Sequence, residues 1–212
     1  MYYEKSGSGR PLVLLHGNGE DHKIFDGFVP LVKDGFTVYA LDSRSHGQSS
    51  RAPLGYREMA RDVEEFIEAT GLVKPVVAGF SDGGIVALML AAAGRADIRA
   101  IAAFGANSEP EGIKRRWRFI FRSGYFFTHS EYLKLMIEEP HISADELASI
   151  KVPALITVGE RDMIYTEHVK SIADAIPYGE FVVVPGEGHA SYVTDGKKLY
   201  SVAGDFLGRM NY

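Results

Sequence analysis

Short uninterrupted apolar runs alternate along the chain with longer segments whose apolar positions recur every three or four residues. The runs lie at 11–15, 36–41, 75–80, 99–104, 154–158 and 181–184. They are nearly continuous Val, Ile, Leu, Ala and Phe, the pattern of strands covered on both faces. Between them the periodic segments predict helices near 22–33, 56–70, 82–93, 166–176 and 197–210. Such alternation predicts an α/β fold around a mostly parallel central sheet flanked by helices. Residues 1–4 predict a short antiparallel edge strand.

One segment breaks the rhythm. From 107 to 149 there is no strand candidate, only helical patterns rich in aromatic residues. Ile113, Trp117, Ile120 and Phe121 are expected on one helical face, with Lys114, Arg115, Arg118 and Arg122 largely off it. Thr128 with Glu131, and Ser143 with Glu146, have capping-box spacing and predict two further helix starts. The segment therefore predicts a small helical cap (107–149) inserted between two parts of a core, 1–106 and 150–212, within one structural domain. Its basic face is better explained by solvation than by anion or nucleic-acid binding.

Composition narrows the picture. A chain of 212 residues with 46% hydrophobic and 24% charged positions suits one globular domain. The longest apolar run, 85–93, is too short to span a bilayer. The opening MYYEKSGSGR has no apolar stretch and does not read as a signal peptide. With no cysteine there is no disulfide or thiolate site, which fits a cytoplasmic protein. A net charge of −5 argues against nucleic acid or anionic membrane as the main partner. The expected partner is a small-molecule substrate; the oligomeric state is not legible.

The chemistry concentrates at Gly79-Phe80-Ser81-Asp82-Gly83, where a buried strand runs straight into a helix. A nucleophilic serine needs an exposed hydroxyl, a base within reach and donors for a developing oxyanion. A tight strand-to-helix turn gives the exposure. Gly79 and Gly83 relieve the crowding it causes, and the helix behind presents free N–H groups. His189, in the loop after the last strand, is the candidate base. Asp162, after the strand at 154–158, is the candidate orienting acid, with Glu160 and Asp174 as competitors. Both lie at carboxyl ends of strands, the edge where open α/β sheets gather their sites. The expected oxyanion donors are the backbone N–H groups of Asp82 and of Asn18, in Leu15-His16-Gly17-Asn18-Gly19. His16 is expected to tie down that loop. His22, His129, His141 and His168 have no obvious partners and are expected at the surface or in the cap. No metal-ligand spacing and no phosphate-binding glycine motif occurs, so neither metal nor cofactor is expected.

Taken together, these residues resemble the α/β-hydrolase fold superfamily over nearly the whole chain. The matching segments are His16-Gly17, Asp42-Ser43-Arg44-Ser45-His46-Gly47-Gln48-Ser49, Gly79-Phe80-Ser81-Asp82-Gly83, Gly159-Glu160-Arg161-Asp162 and Gly188-His189. The resemblance implies a Ser81–His189–Asp162 triad acting on a carboxylic ester through an acyl-enzyme and, with the family's first strand expected to be missing, a sheet of about seven strands. Ser45 stands where the family usually has glycine, a change expected to perturb only a turn. Gly79-Phe80-Ser81-Asp82-Gly83-Gly84-Ile85 with Phe104-Gly105-Ala106-Asn107 is similar to biphenyl-hydrolase-like enzymes of the valacyclovir-hydrolase type. In those the acid after the nucleophile helps bind the ammonium of an α-amino-acid ester. Asp82 thus has two readings, a substrate contact or an acid favoured by a helix N-terminus. Trp117, on the aromatic face of the cap, is the other candidate substrate contact. The alternatives are the same triad acting on a thioester, lactone, carbon–carbon bond or peracid, or a non-catalytic ligand sensor.

Overall fold

The computed structural model describes residues 1–211. Its strands are β1 (Tyr2–Gly7), β2 (Arg10–Leu15), β3 (Phe36–Asp42), β4 (Val76–Phe80), β5 (Ala100–Phe104), β6 (Ala154–Gly159) and β7 (Gly179–Val184). The helices are α1 (Val29–Val32), α2 (Tyr56–Thr70), α3 (Asp82–Ala93), α4 (Arg115–Thr128), α5 (Glu131–Glu138), α6 (Ala144–Ser149), α7 (Thr166–Ala175), α8 (Ser191–Thr194) and α9 (Gly196–Met210). The strands form one seven-stranded sheet in the order β1-β3-β2-β4-β5-β6-β7. Only β1 runs antiparallel, paired along β3 from Tyr2 opposite Asp42 to Gly7 opposite Thr37.

Two apolar layers cover the sheet, as its uniformly apolar strands require. Val13, Leu15, Val77 and Ile156 point to the layer built by α2, α3 and α7. Leu12, Leu14, Ala78 and Leu155 point to the layer that holds Phe25, Phe28, Leu199 and Phe206. The chain leaves β2 for β3 on one side and then crosses to β4 on the other. Leu15 of β2 pairs with Gly79 of β4 at this reversal, so a crevice opens beyond their carboxyl ends.

Three local expectations differ from the structure. The helix expected over 22–33 is a 3₁₀ turn at His22–Phe25 followed by the single turn α1. Gly27 separates the two, and Pro30, which lacks an N–H, fits only the first turn of a new helix. Thr128 closes α4 instead of opening the next helix. Its hydroxyl donates back to the Gly124 carbonyl, and Ser130 is the N-cap of α5. The Ser143–Glu146 capping box is present. On α4, Trp117 and Phe121 face inward, but Ile120 is 51% exposed.

Ser45, in the position usually held by glycine, has a φ of 62°. The strain is offset locally: its hydroxyl donates to the Ala52 carbonyl at 2.7 Å and accepts from the Ala52 N–H at 3.0 Å.

Candidate active site

The turn between β4 and α3 is sharp enough to force Ser81 to φ 50° and ψ −114°, a region that non-glycine residues rarely occupy. The Ser81 N–H donates to the Phe104 carbonyl at 2.8 Å, which pins the turn to the neighbouring strand. A Cβ on Gly79 would collide with the Gly83 carbonyl, and one on Gly83 with the Leu15 carbonyl. Both obstacles are backbone and cannot swing aside, so the sequence admits only glycine at these two places.

His189 comes from the loop after β7, and Asp162 from the turn after β6. Ser81 Oγ lies 3.0 Å from His189 Nε2, and His189 Nδ1 lies 2.7 Å from Asp162 Oδ1. Asp162 is fully buried. Its carboxylate also accepts from the N–H groups of Ile164 at 3.0 Å and Gly159 at 3.3 Å, which fixes its orientation. The neutral imidazole that suits this arrangement donates from Nδ1 to Asp162 and accepts the Ser81 hydroxyl at Nε2. The competing acids sit elsewhere. Glu160 accepts from the Gly186 N–H at 2.6 Å, and Asp174 pairs with Lys170 on the exposed face of α7.

Among the N–H groups at 17–20, three have partners. Gly17 donates to Glu20 Oε2 at 3.0 Å, Gly19 to His46 Nε2 at 3.1 Å, and Glu20 to the Gly17 carbonyl. Among the described residues the Asn18 N–H is left for a ligand. Across the crevice, Ser81 supplies no side-chain cap, so the first N–H groups of α3, Asp82 among them, also remain open. His16 holds the same loop. Its Nε2 accepts from the Ser43 N–H at 3.0 Å, so Nδ1 carries the proton and donates to the Gly17 carbonyl at 2.8 Å. Burial lowers its pKa to about 4, which keeps it neutral.

Asp82 is only 2% exposed, and both of its oxygens are engaged. One accepts from Asn18 Nδ2 and the other from the Tyr56 hydroxyl, each at 2.8 Å. Burial raises its pKa, while the Asn18 and Tyr56 hydrogen bonds oppose that shift. The side chain therefore ties the Asn18 loop to the elbow. Asn18 Nδ2 also reaches the Tyr132 carbonyl of α5 at 3.3 Å, which links the loop to the cap.

A narrow cleft beside Ser81, with a cavity volume of only about 10 Å³, is lined by Tyr56, Asp82, Ile113, Met136, Glu139 and Met163 among others. Trp117, expected to touch substrate, is not part of this wall. Its ring packs beside Phe121 on the inner face of α4, at 6.2 Å between centroids. The segment between β5 and β6 meets the cleft through Ile113, Met136 and Glu139 instead. A larger cleft of about 420 Å³ lies away from Ser81 and is lined by Arg44, Asp62 and Phe66, without a histidine.

Sequence reasoning missed Tyr56, Glu139 and Glu20. Glu139 accepts from the Tyr56 N–H at 3.0 Å across a separation of more than eighty residues, which no local pattern reveals. Glu20 had one signal, its place directly after the glycine-rich loop that it clamps. Two histidines expected at the surface or in the cap are partnered: buried His22 Nδ1 lies 2.7 Å from Asp42, and half-buried His168 Nε2 accepts from the Ser108 N–H at 3.1 Å. Among the described residues no cluster of His, Asp and Glu could hold a metal ion. No helix among them is long and apolar enough to cross a membrane.

The model of the "Alpha/beta hydrolase family" matches residues 12–201. The chain is similar to the AB hydrolase superfamily protein YisY of Bacillus subtilis, 28% identical over 253 residues, covering 97% of this chain and 94% of that one. Its fold is similar to that of a thermophilic esterase from Thermogutta terrifontis, with a TM-score of 0.80 and 24% identity, over 100% of this chain and 94% of the other. It is also similar to Est816, described as an N-acyl homoserine lactone degrading enzyme, with a TM-score of 0.79 and 21% identity, over 97% and 96% of the two chains.

Proposed function

The chain belongs to the alpha/beta hydrolase family, and on that premise we propose that it is a serine hydrolase cleaving small or medium carboxylic esters through an acyl-enzyme. The observation that carries this reading is the unbroken line of contacts from buried Asp162 through His189 to the Ser81 hydroxyl, at 2.7 and 3.0 Å. In this reading Ser81 Oγ attacks the ester carbonyl and its proton passes to His189 Nε2. Asp162 stabilises the imidazolium and holds its tautomer. The carbonyl oxygen, now negative, accepts from the Asn18 and Asp82 N–H groups; one such donor contributes roughly 10²–10³ in turnover. His189 then protonates the leaving alkoxide. A water, deprotonated by the same nitrogen, attacks the acyl carbon and releases the acid and free Ser81. The narrow cleft favours small or medium acyl groups over long lipid chains.

The test pairs a fluorophosphonate label with a kinetic panel of esters of rising length, thioesters and lactones. Modification at Ser81 with turnover of short esters supports the reading. An unreactive Ser81 would make the chain a ligand-binding member of the fold, and a preference for lactones would place it with the activity named for Est816.

A second reading concerns the substrate's charge. Two carboxylates, Asp82 and Glu139, line the cleft beside Ser81, and no lysine or arginine does. This supports a cationic substrate such as the α-amino-acid ester suggested by the biphenyl-hydrolase-like resemblance. Asp82 already accepts from two donors, so Glu139 is the better placed of the pair to meet an added cation. Glu139→Gln should lower kcat/KM for amino esters by about thirtyfold or more and leave neutral esters of equal size nearly unchanged. Equal losses on both would return Glu139 to a structural role under Tyr56. A cytoplasmic location belongs to the same proposal and rests on the cysteine-free composition; cell fractionation tests it.

A further inference from the structure

Helix α4 has no buried side chain, although it is 14 residues long. Residues seven apart lie about 20° apart around a helix, so the helix can be read as rows. The inner rows are Trp117 with Gly124, Phe121 with Thr128, and Arg118 with Tyr125. The outer rows are Arg115 with Arg122, Phe119 with Phe126, Arg116 with Ser123, and Ile120 with Phe127. Phe119 and Phe126 are each 73% exposed and Phe127 is 80% exposed. This outer face carries three phenylalanines, one isoleucine and three arginines, and the sequence from Lys114 to Thr128 contains no acid. Among the nearby acids, Glu111 pairs with Arg118 and Glu131 with Lys134. The chain as a whole is acidic, so the basic charge is concentrated where the aromatic rings emerge.

We propose that the outer face of α4 docks in the plane of an anionic lipid surface, its phenylalanines entering the headgroup–acyl boundary and Arg115, Arg116 and Arg122 meeting the headgroup phosphates. Aromatic and apolar rows beside arginines are the composition of helices that lie in such an interface. The charge of the face is complementary to anionic lipid, in contrast to the net charge of the chain. A second copy of this chain fits less well. A 14-residue helix is about 21 Å long, so a strip about 10 Å wide gives roughly 200 Å² per copy, far below the roughly 800 Å² per partner of a stable interface. A two-fold axis at the helix centre would also bring Arg122 against its own copy.

The test is co-sedimentation of the full chain with phosphatidylcholine vesicles, with and without phosphatidylglycerol. The wild type should bind only the anionic vesicles, and less as salt rises. The variant Phe119→Ser/Phe126→Ser/Phe127→Ser should lower the partition coefficient at least tenfold. Arg115→Gln/Arg116→Gln/Arg122→Gln should lower it about a hundredfold. Both variants should keep the wild-type thermal melt and turnover of a water-soluble ester. Absence of binding to anionic vesicles, or binding that neither variant weakens, would overturn the proposal. So would light scattering that shows a wild-type dimer which the phenylalanine variant dissociates; the face would then belong to a second copy.

Discussion

Helices α3 and α4 are of similar length and both rich in apolar residues, yet the fold uses them in opposite ways. Ten residues of α3 are buried, because it lies between the sheet, α2 and α6 with apolar side chains all round. Its N-terminus is fixed by two glycines whose missing Cβ atoms let three backbone segments meet. Helix α4 buries none of its residues fully, and of its side chains Trp117 and Phe121 pack against the core. The difference teaches where rigidity is placed. The Ser81 hydroxyl, proposed as the nucleophile, stands at the head of the helix packed on all sides, and the covering element touches the core through a few side chains. Electrostatic stabilisation of a transition state requires groups held in advance, which the buried helix provides and the exposed one does not.

The largest test of that contrast removes the reacting groups. Ser81→Ala and His189→Ala should each abolish nearly all ester turnover, by about 10⁴-fold or more, and the double variant should lose no more than either alone. Steady-state kinetics with unchanged circular dichroism checks this. Residual activity of Ser81→Ala above about a tenth of wild type would remove the serine from its proposed role. Next, Asp162→Asn should cost about a thousandfold in turnover through the wrong imidazole tautomer, and Glu160→Gln far less.

The buried side should also answer to acid. His16 titrates near 6.5 when unfolded and at about 4 when folded. Between these values the unfolded chain holds a proton that the folded chain refuses, so stability falls as pH drops through the window and is fully present above it. The loss approaches about 3 kcal/mol at the acid end. Urea unfolding from pH 7 to pH 4 should show this slope, flattened in His16→Asn; an unchanged slope would assign the acid sensitivity to another group such as His168, whose burial also lowers its pKa.

Two alanine substitutions then compare the helices directly. Gly83→Ala places a Cβ against the backbone of Leu15 and His16 and should destabilise by roughly 1–3 kcal/mol or more, with loss of turnover. Gly124→Ala in α4 meets only the Leu133 side chain, at 2.9 Å, which can rotate away. The gain in helix propensity, about 1 kcal/mol, should offset that contact and leave stability within about 1 kcal/mol of wild type. Denaturant midpoints decide both, and a Gly124→Ala penalty as large as that of Gly83→Ala would end the contrast.

By itself the sequence determined the layered sheet, since uninterrupted Val, Ile, Leu and Ala runs can be satisfied only between two covering layers. It also determined the elbow: glycines two residues either side of Ser81 have a local steric cause, and the strand and helix flanking them have local periods. Placing His189 and Asp162 at strand ends followed from the same alternation, because parallel strands bring their carboxyl ends to one edge. What the tertiary structure alone decided depends on contacts between distant segments. Burial of His22 against Asp42, the choice of Asp162 over Glu160, and the meeting of Tyr56 with Asp82 and Glu139 all arise that way. The cap shows the limit most plainly. Helical spacing groups Trp117, Ile120 and Phe121 on one face, yet Ile120 is 51% exposed. Only the packing of α5 and the core against Trp117 and Phe121 leaves Phe119, Phe126 and Phe127 outside.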